Sequence, residues 1–384
     1  MSICRNRSAG AIVCYDSSME KRESIAACPD EYLTAFGLDA DRVIYFDIET
    51  TGFRPSTSSL YMIGWAVREK ASRWTVTQVL AQSRPDEPLL LQQFRNVLDG
   101  YDTIIAFNGD RFDLPYLKEK FTAHGMEDPF QRFFTVDLYR QIRPYKHAFG
   151  TGRLNQKSVE EFLGIRREDP YNGGELIDVY RSVRDHRCQD NAAKEAAMDA
   201  LFLHNREDVL GMLSMTALLA YPLAADSTSP VQRMDSPGLG FCFPLPVPVP
   251  EPLHLSLDPQ GGIGKVILSG KEAAVILRPC SGTLFHFFPD YQNYYYLPAE
   301  DMAIHKSVAS FVSPAHREKA KAGNCYVRKS GLFLPQPGEI IRPVFHRTFK
   351  DPVSWFEYMP GMEEESALFA SCIHALVRSA LKSC

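Results

Sequence analysis

The sequence predicts an α/β fold for residues 41–222, in which a mixed five-stranded sheet is flanked by helices. Two observations predict it. Short stretches rich in β-branched and aromatic residues recur along this part of the chain, and stretches of helical composition separate the later ones. Three strands come first, then a helix, and then strand and helix alternate, an order typical of a layered α/β domain. The predicted strands cover residues 43–49, 60–67, 74–81, 103–107 and 133–138.

The helices of this domain are predicted from local patterns. Pro88 lies near the start of an acidic turn, and apolar residues follow it at the spacing of an amphipathic helix that includes Leu91 and Phe94. Further helices are predicted at residues 114–124, 159–163 and 192–219, the last of which is long and rich in Ala and Leu.

The flanking regions differ in composition. Residues 1–40 mix small, polar and charged types and are interpreted as a short helical or disordered lead-in. Residues 223–256 contain the run PLPVPVPEP and are predicted to be a semi-rigid polyproline II linker. Residues 257–384 then predict a smaller α+β domain. Its strands are expected at 265–268, 274–277 and 283–288, and its helices at 314–322 and 363–381.

Composition and charge set limits on the class of protein. The net charge of −5 carries no basic signature, so binding of nucleic acid has to be argued from local patches. The nine cysteines are scattered and form no C-x-x-C pair, which favours free thiols in a reducing, cytoplasmic setting. No signal peptide is apparent, and prolines interrupt the most apolar stretch, residues 241–253, so we expect no membrane association.

Three short motifs carry the candidate chemistry, and the first is Asp47-Ile48-Glu49-Thr50-Thr51-Gly52 at the end of a predicted strand. Residues i and i+2 of a strand point to the same face, so the carboxylates of Asp47 and Glu49 project together. Such a pair repels itself unless a cation lies between its members, and Mg²⁺ and Mn²⁺ prefer oxygen ligands. An isolated D-x-E triplet is more often an acidic strand end that faces solvent.

The second motif, Asn108-Gly109-Asp110-Arg111-Phe112-Asp113, directly follows the predicted strand at 103–107. Asp113 then stands at the start of a helix, where its ordinary role would be an N-terminal cap. The third motif lies in the long helix, where His204 and Asp208 are four residues apart and therefore on one face. Each motif alone is weak, but their order on strand, strand end and helix is unlikely by accident.

Taken together, the three segments resemble the exonuclease motifs of the DEDD superfamily of 3′→5′ exonucleases, which share a ribonuclease H-like fold. The string FNGDRFDLPYL is similar to the second motif of proofreading domains in family B DNA polymerases. Residues 154–164 and 205–209 resemble the bacterial YprB-like group more closely. The resemblance covers roughly residues 42–219 and implies a ribonuclease H-like sheet.

The resemblance also implies roles for individual residues. Asp47, Glu49, Asp113 and Asp208 would bind two Mg²⁺ or Mn²⁺ ions, and Asn108, Phe112 and Thr50 would contact the substrate. His204 would be the base or the group that orients water. Superfamily members place a Tyr four residues, or a His five residues, before the last Asp. His204 therefore combines the chemistry of one subclass with the spacing of the other.

These features predict a metal-dependent 3′→5′ exonuclease that acts on DNA or RNA, with a single-stranded 3′ end as the expected partner. Two alternatives remain at the level of sequence. One is a structure-selective endonuclease on the same fold, and the other is a catalytically silent module that binds nucleic acid.

A tyrosine cluster and a basic stretch in residues 257–384 suggest a second contact with nucleic acid, because aromatic rings stack on bases and cations bind phosphates. Lys306, Arg328 and Lys329 are the candidate binding residues. The competing interpretation is a buried aromatic core with a solvated basic face.

Overall fold

The computed structural model describes residues 14–16, 19–258 and 262–382. The chain divides into two compact units, of which the first ends at Pro222 and the second begins at Leu223.

A mixed sheet forms the centre of the first unit, with its strands in the order β1-β2-β5-β4-β3-β6-β7. The pairs β3–β6 and β6–β7 are parallel, and the other neighbours are antiparallel. The strands are β1 (Cys14–Asp16), β2 (Met19–Ala27), β3 (Val43–Thr50), β4 (Leu60–Lys70), β5 (Arg73–Ala81), β6 (Thr103–Ala106) and β7 (Phe134–Asp137). All five predicted strands are present, and they form the mixed sheet that the motifs require.

Within the described residues the sheet contains seven strands rather than five, because β1 and β2 come from the segment that the sequence analysis took for a lead-in. β2 pairs along its whole length with β5, from Met19 opposite Ala81 to Ala27 opposite Arg73. Its middle residues are charged and only partly buried, so they lack the apolar alternation from which strands are predicted. Backbone pairing, rather than side-chain burial, holds much of this strand in the sheet.

The helices of the first unit cover both faces of the sheet. They are α1 (Glu31–Ala35), α2 (Glu87–Leu98), α3 (Asp113–Ala123), α4 (Leu138–Ile142), α5 (Gln156–Phe162), α6 (Gly173–Arg184), α7 (Asn191–Met215) and α8 (Ala220–Ala225). The long helix was predicted to within a few residues, whereas α6 was not predicted.

Alternation along β3 divides its side chains between two environments. Phe46 and Ile48 belong to a fully buried cluster that also contains Phe94 of α2 and Leu117 of α3. The intervening residues face α7, where the hydroxyl of Tyr45 lies 2.8 Å from that of Thr216, directly after the helix. The carboxylates of β3 therefore point toward the long helix and away from the α2–α3 core.

The helical run Asn191–Ala225 is long and apolar enough to cross a membrane by length and composition, but 72% of its most apolar window is buried inside the protein. This burial is typical of a core helix.

The described part of the second unit forms three antiparallel sheets. A five-stranded sheet has the order β10-β11-β12-β9-β8, and two three-stranded sheets have the orders β13-β17-β18 and β15-β14-β16. The strands are β8 (Gln232–Met234), β9 (Leu239–Pro244), β10 (Leu253–Ser256), β11 (Gly264–Ser269), β12 (Glu272–Leu277), β13 (Cys280–Phe287), β14 (Tyr294–Leu297), β15 (Met302–His305), β16 (Glu318–Lys319), β17 (Tyr326–Gln336) and β18 (Ser354–Glu357). The helices are α9 (Lys306–Ala309), α10 (Met362–Glu365) and α11 (Ala367–Lys382).

Two predictions for this unit were wrong. The proline-rich segment is not a polyproline II linker, because β9 pairs with β12 and Phe241, Phe243 and Val247 are buried. Its prolines interrupt an apolar strand and the loop after it, and this obscured the strand pattern. The basic stretch at 314–322 is not a helix, since a single 3₁₀ turn at Pro314–His316 leads into β16.

Candidate active site

Strand β3 provides the first two acidic residues. Asp47 and Glu49 project from the face that α7 covers, as their spacing predicted, and Glu49 is only 9% exposed. Asp47 is opposite Gly64 of β4, where a side chain would collide with Asn205 of α7. The absence of a side chain at this position lets Asn205 approach the strand and donate a hydrogen bond of 3.0 Å to Asp47 Oδ2.

Helix α3 provides the third acid. Asp113 is the first residue of this helix and is 7% exposed. Its carboxylate accepts hydrogen bonds from its own backbone N–H and from that of Ile48, which links the start of α3 to β3. Gly109 makes the preceding turn possible, because a Cβ there would lie 2.5 Å from that of Ala106. Phe112 is the N-cap of α3, so Asp113 does not have the ordinary role of a helix cap.

Helix α7 provides the fourth acid together with the histidine. Nε2 of His204 lies 3.2 Å from Oδ2 of Asp208 and 3.8 Å from Oε1 of Glu49. One ligand atom from each of these three side chains lies within 4.8 Å of the others. This group of three contains Glu49 and Asp208, two of the four predicted ligands, together with His204. The sequence analysis predicted His204 to be a base or water-orienting group rather than a metal ligand.

Burial and neighbouring acids raise the pKa values of three of the four carboxylates. Burial raises the pKa of Asp47 well above its ordinary value, and the charges of Asp208, Glu49 and Asp113 raise it further. Burial also raises the pKa of Glu49 to about 8, although His204 opposes this shift. For Asp113 burial raises the pKa to about 7, against the effect of its backbone hydrogen bonds. Three acids whose charged forms are destabilised in this way, with Asp208 beside them, are a donor set that suits a hard divalent cation.

His204 is held by residues that the sequence analysis did not identify. Its Nδ1 lies 2.6 Å from Oδ2 of Asp169, whose backbone N–H donates to Glu207. Although burial lowers the pKa of His204, the charges of Glu49, Asp208 and Asp169 raise it above its ordinary value overall. Because a carboxylate oxygen can only accept, Nδ1 carries a proton and Nε2 is directed to the acidic group.

Arg167 is a second residue that the sequence analysis missed. Its guanidinium pairs with both oxygens of Glu160 and lies 2.6 Å from Oδ1 of Asp208. Burial would lower the pKa of Arg167, but the hydrogen bonds and charges of these two acids raise it. Arg167 and Asp169 belong to the charged segment Arg166-Arg167-Glu168-Asp169, and this clustering of charges was the available signal.

The three residues predicted to contact substrate, Asn108, Phe112 and Thr50, each have a different structural role. Asn108 adopts a positive φ of 61°, and its N–H donates to Asp137 at 2.9 Å, so its backbone shapes the turn. The ring of Phe112 lies 6.0 Å from that of Phe53, which is 88% exposed. The hydroxyl of Thr50 donates to the carbonyl of Gly52.

The structure does not bring the three predicted cations of the second unit together on one face. Arg328 and Lys329 are neighbours on β17 and therefore point to opposite sides. Arg328 pairs with Asp301, Lys329 pairs with Glu357, and Lys306 donates to Asn293.

Residues 44–220 match the family model of the RNase H superfamily. With the mixed sheet and its flanking helices, this match shows that the first unit contains an RNase H-like domain. Over 207 residues the chain is 27% identical to the uncharacterized protein YprB of Bacillus subtilis (strain 168). These 207 residues cover 53% of this chain and 48% of that protein. The chain thus spans about half the length of this curated relative.

Among solved structures, the chain is similar to the family B DNA polymerase from the hyperthermophilic archaeon Pyrobaculum calidifontis. The TM-score is 0.38 at 14% sequence identity, and the match covers 88% of this chain and 46% of the polymerase.

Proposed function

We propose that this protein is a metal-dependent 3′→5′ exonuclease that hydrolyses phosphodiester bonds of DNA or RNA. The observation that carries the proposal is the group of four carboxylates beside the imidazole of His204, of which Glu49 and Asp113 are buried and Asp47 and Asp208 are partly buried. These acids come from three elements that are distant in sequence, and Arg167 pairs with only one of the four.

The four carboxylates would hold Mg²⁺ or Mn²⁺, in a pair of sites as the resemblance to the DEDD superfamily implies. When bound, the cations would supply Lewis-acid activation of the phosphate and of the attacking water. The donor set fits this role, since oxygen ligands are those that hard divalent cations prefer. Arg167 partly neutralises the group by pairing with Asp208.

In this proposal His204 handles the proton. Nε2 points at the acidic group, where it can orient a water molecule or accept its proton. Asp169 holds the other ring nitrogen in the protonated form and so keeps Nε2 available. Asn205 fixes Asp47 through the hydrogen bond between their side chains and is itself fixed by Gln78.

The exposed ring of Phe53 beside Phe112 supports a single-stranded end as the substrate. Aromatic rings on a protein surface stack on unpaired bases of any sequence, so this pair would bind the terminal base.

The test uses a single-stranded oligonucleotide labelled at its 3′ end, incubated with Mg²⁺ or Mn²⁺. We expect labelled mononucleotides at the earliest times and resistance of an oligonucleotide with a 3′-phosphate. Internal fragments at early times would instead identify an endonuclease, and binding without cleavage would identify a silent module. The variant Asp47→Asn, prepared in parallel, controls for contaminating nucleases. Matched DNA and RNA oligonucleotides distinguish the two substrates.

A further inference from the structure

The second unit contains a cavity of about 700 Å³ that belongs to no part of the proposed active site. Its volume is within the range of roughly 300–1,000 Å³ that small-molecule sites occupy. The lining contains four phenylalanine or tyrosine rings, two imidazoles, one guanidinium and the carboxylate of Glu339, and its residues include His286, Phe287, Arg342, His346 and Phe349.

Two phenylalanines give the cavity a stacking surface. The rings of Phe287 and Phe349 meet edge to face, with centroids 5.3 Å apart, and Phe287 also contacts Tyr326 at 5.4 Å. Phe349 is 48% exposed although it is a large apolar side chain. The ring of Phe287 is therefore fixed by its neighbours, while that of Phe349 remains accessible.

The two imidazoles are fixed in matching orientations. Nδ1 of His286 lies 2.7 Å from the carbonyl oxygen of Val344, and Nδ1 of His346 lies 3.0 Å from that of Val353. A carbonyl can only accept, so each Nδ1 carries a proton. In the neutral ring Nε2 is then an acceptor, which suits the amino groups of bases.

The charge of this region is opposite to that of the whole chain. Residues 306–350 contain nine lysines and arginines and two glutamates, whereas the whole chain has a net charge of −5. Arg342 lines the cavity, with 75% of its side chain exposed, and pairs with the exposed Glu339. Glu339 also lines the cavity, but an exposed ion pair of this kind is weak, so a phosphate can replace the Glu339 carboxylate as the partner of Arg342.

We propose that this cavity binds a base of single-stranded nucleic acid, with Phe349 stacking on the base and Arg342 contacting a phosphate. Exposed aromatic rings beside cations bind single strands of many sequences, because every base has a flat face. The inference rests on the proposed function, since it gives the nuclease a second contact with its substrate. It also locates that contact at residues other than Lys306, Arg328 and Lys329.

The test measures binding of fluorescein-labelled oligo-dT and oligo-U of 15 nucleotides to the full chain, by fluorescence anisotropy without divalent cations, so that no cleavage occurs. We expect Phe349→Ala to weaken binding by roughly 10-fold, as for the loss of one stacked base. Arg342→Gln should lower the slope of log K against log salt by about 0.7, as for one lost contact to a single-strand phosphate. The two oligonucleotides distinguish DNA from RNA.

Matched controls come from the same unit. Phe311→Ala removes a phenylalanine that is 91% exposed and does not line the cavity, and Lys265→Gln removes an exposed cation from the five-stranded sheet. Neither change should alter affinity. Phe349→Trp, which keeps a stacking ring, should retain the affinity that Phe349→Ala loses.

A further measurement separates this inference from the proposed function. Hydrolysis of bis(p-nitrophenyl) phosphate with Mn²⁺ involves no base, so Phe349→Ala should leave it unchanged. Equal affinities of wild type, Phe349→Ala and Arg342→Gln would overturn the inference, even if Asp47→Asn abolishes cleavage. If the chain cleaves nothing but its affinity for the oligonucleotides depends on Phe349, the proposed function would be overturned. The binding of a base in the cavity would then still be supported.

Discussion

Oδ2 of Asp169 lies 2.6 Å from Nδ1 of His204, although the two residues are 35 positions apart in the sequence. The Asp169 side chain is fully buried, and its other oxygen accepts the backbone N–H of Tyr171. The carboxylate is therefore fixed from both sides, and it orients the imidazole so that Nε2 is directed at Asp208 and Glu49. A carboxylate that holds a histidine in this way selects its tautomer and raises its basicity.

We expect Asp169→Asn to reduce kcat on a labelled oligonucleotide by about 10- to 100-fold, the range found when a group that supports a site residue is lost. KM should change little, because Asp169 does not contact substrate in this proposal. Since the charge of Asp169 raises the pKa of His204, the acidic limb of the pH–rate profile should move to lower pH.

The matched control is Asp178→Asn on α6, where the side chain is 80% exposed and pairs with Arg181. It should leave kcat and the pH profile unchanged. An Asp169→Asn enzyme with wild-type kcat and an unshifted acidic limb would contradict the positioning role.

Gly64→Ala should destabilise the protein and impair catalysis together. An added Cβ would lie 2.0 Å from Oδ1 of Asn205, whose amide holds Asp47. Overpacking of a buried contact costs about 1–3 kcal/mol, and displacement of Asn205 would release the Asp47 carboxylate. Urea unfolding monitored by circular dichroism measures the first effect, and nucleotide release measures the second. Gly152→Ala is the control, since a Cβ there meets no atom within 4 Å; equal stability of the two variants would refute the prediction.

Local periodicity predicted which side chains of the candidate site share a face, whereas the set of four acids, Asp113 among them, came from the resemblance to the DEDD superfamily. The two-residue repeat of a strand placed Asp47 and Glu49 on one face, and the helical repeat placed His204 one turn before Asp208. Strands β3 to β7 were predictable because each is a short stretch rich in β-branched and aromatic residues.

Asp169 and Arg167 could not be predicted in this way, because they lie between α5 and α6, in a segment without regular periodicity. Their contacts depend on how that segment packs against α7, which is a property of the tertiary fold. β2 was missed because its charged residues carry no apolar pattern, and β9 because prolines adjoin it. In each case a long-range contact decides the structure, and the local sequence carries little sign of it.

We expect Arg167→Gln to lower the free energy of unfolding by about 3–5 kcal/mol, because it leaves the charge of Glu160 buried without its partner. Glu160 is 1% exposed and contacts Arg167 through both oxygens. The double variant Glu160→Gln/Arg167→Gln should recover much of this loss, since the buried charge of Glu160 is then also removed. Chemical denaturation of the wild type, the two single variants and the double variant gives the coupling free energy between Glu160 and Arg167. Additive effects of the two substitutions would show that the pair is not coupled.

The final prediction concerns pH and the divalent cation. Without a cation, Glu49 and Asp113 in the folded protein have pKa values of about 8 and about 7, above their ordinary values of 4.5 and 3.8. At pH values between the ordinary and the raised pKa of each group, the native state binds more protons than the unfolded chain. The free energy of unfolding therefore falls as the pH rises through this range. The Tm of the cation-free protein should therefore decrease from about pH 6 to about pH 8.5.

Addition of Mg²⁺ or Mn²⁺ should reverse this decrease, because the cation binds the deprotonated carboxylates. A concentration of 100 times Kd would add about 2.7 kcal/mol of stability, and the gain should be larger at the higher pH. Glu49→Gln removes one titrating ligand and should weaken both the pH dependence and the response to the cation. Glu119→Gln, an exposed position on α3, should preserve both. Differential scanning calorimetry of wild type and both variants, each with and without the cation, measures these Tm values. A wild-type Tm that is insensitive to both Mg²⁺ and Mn²⁺ at about pH 8.5 would argue against a metal site at these carboxylates.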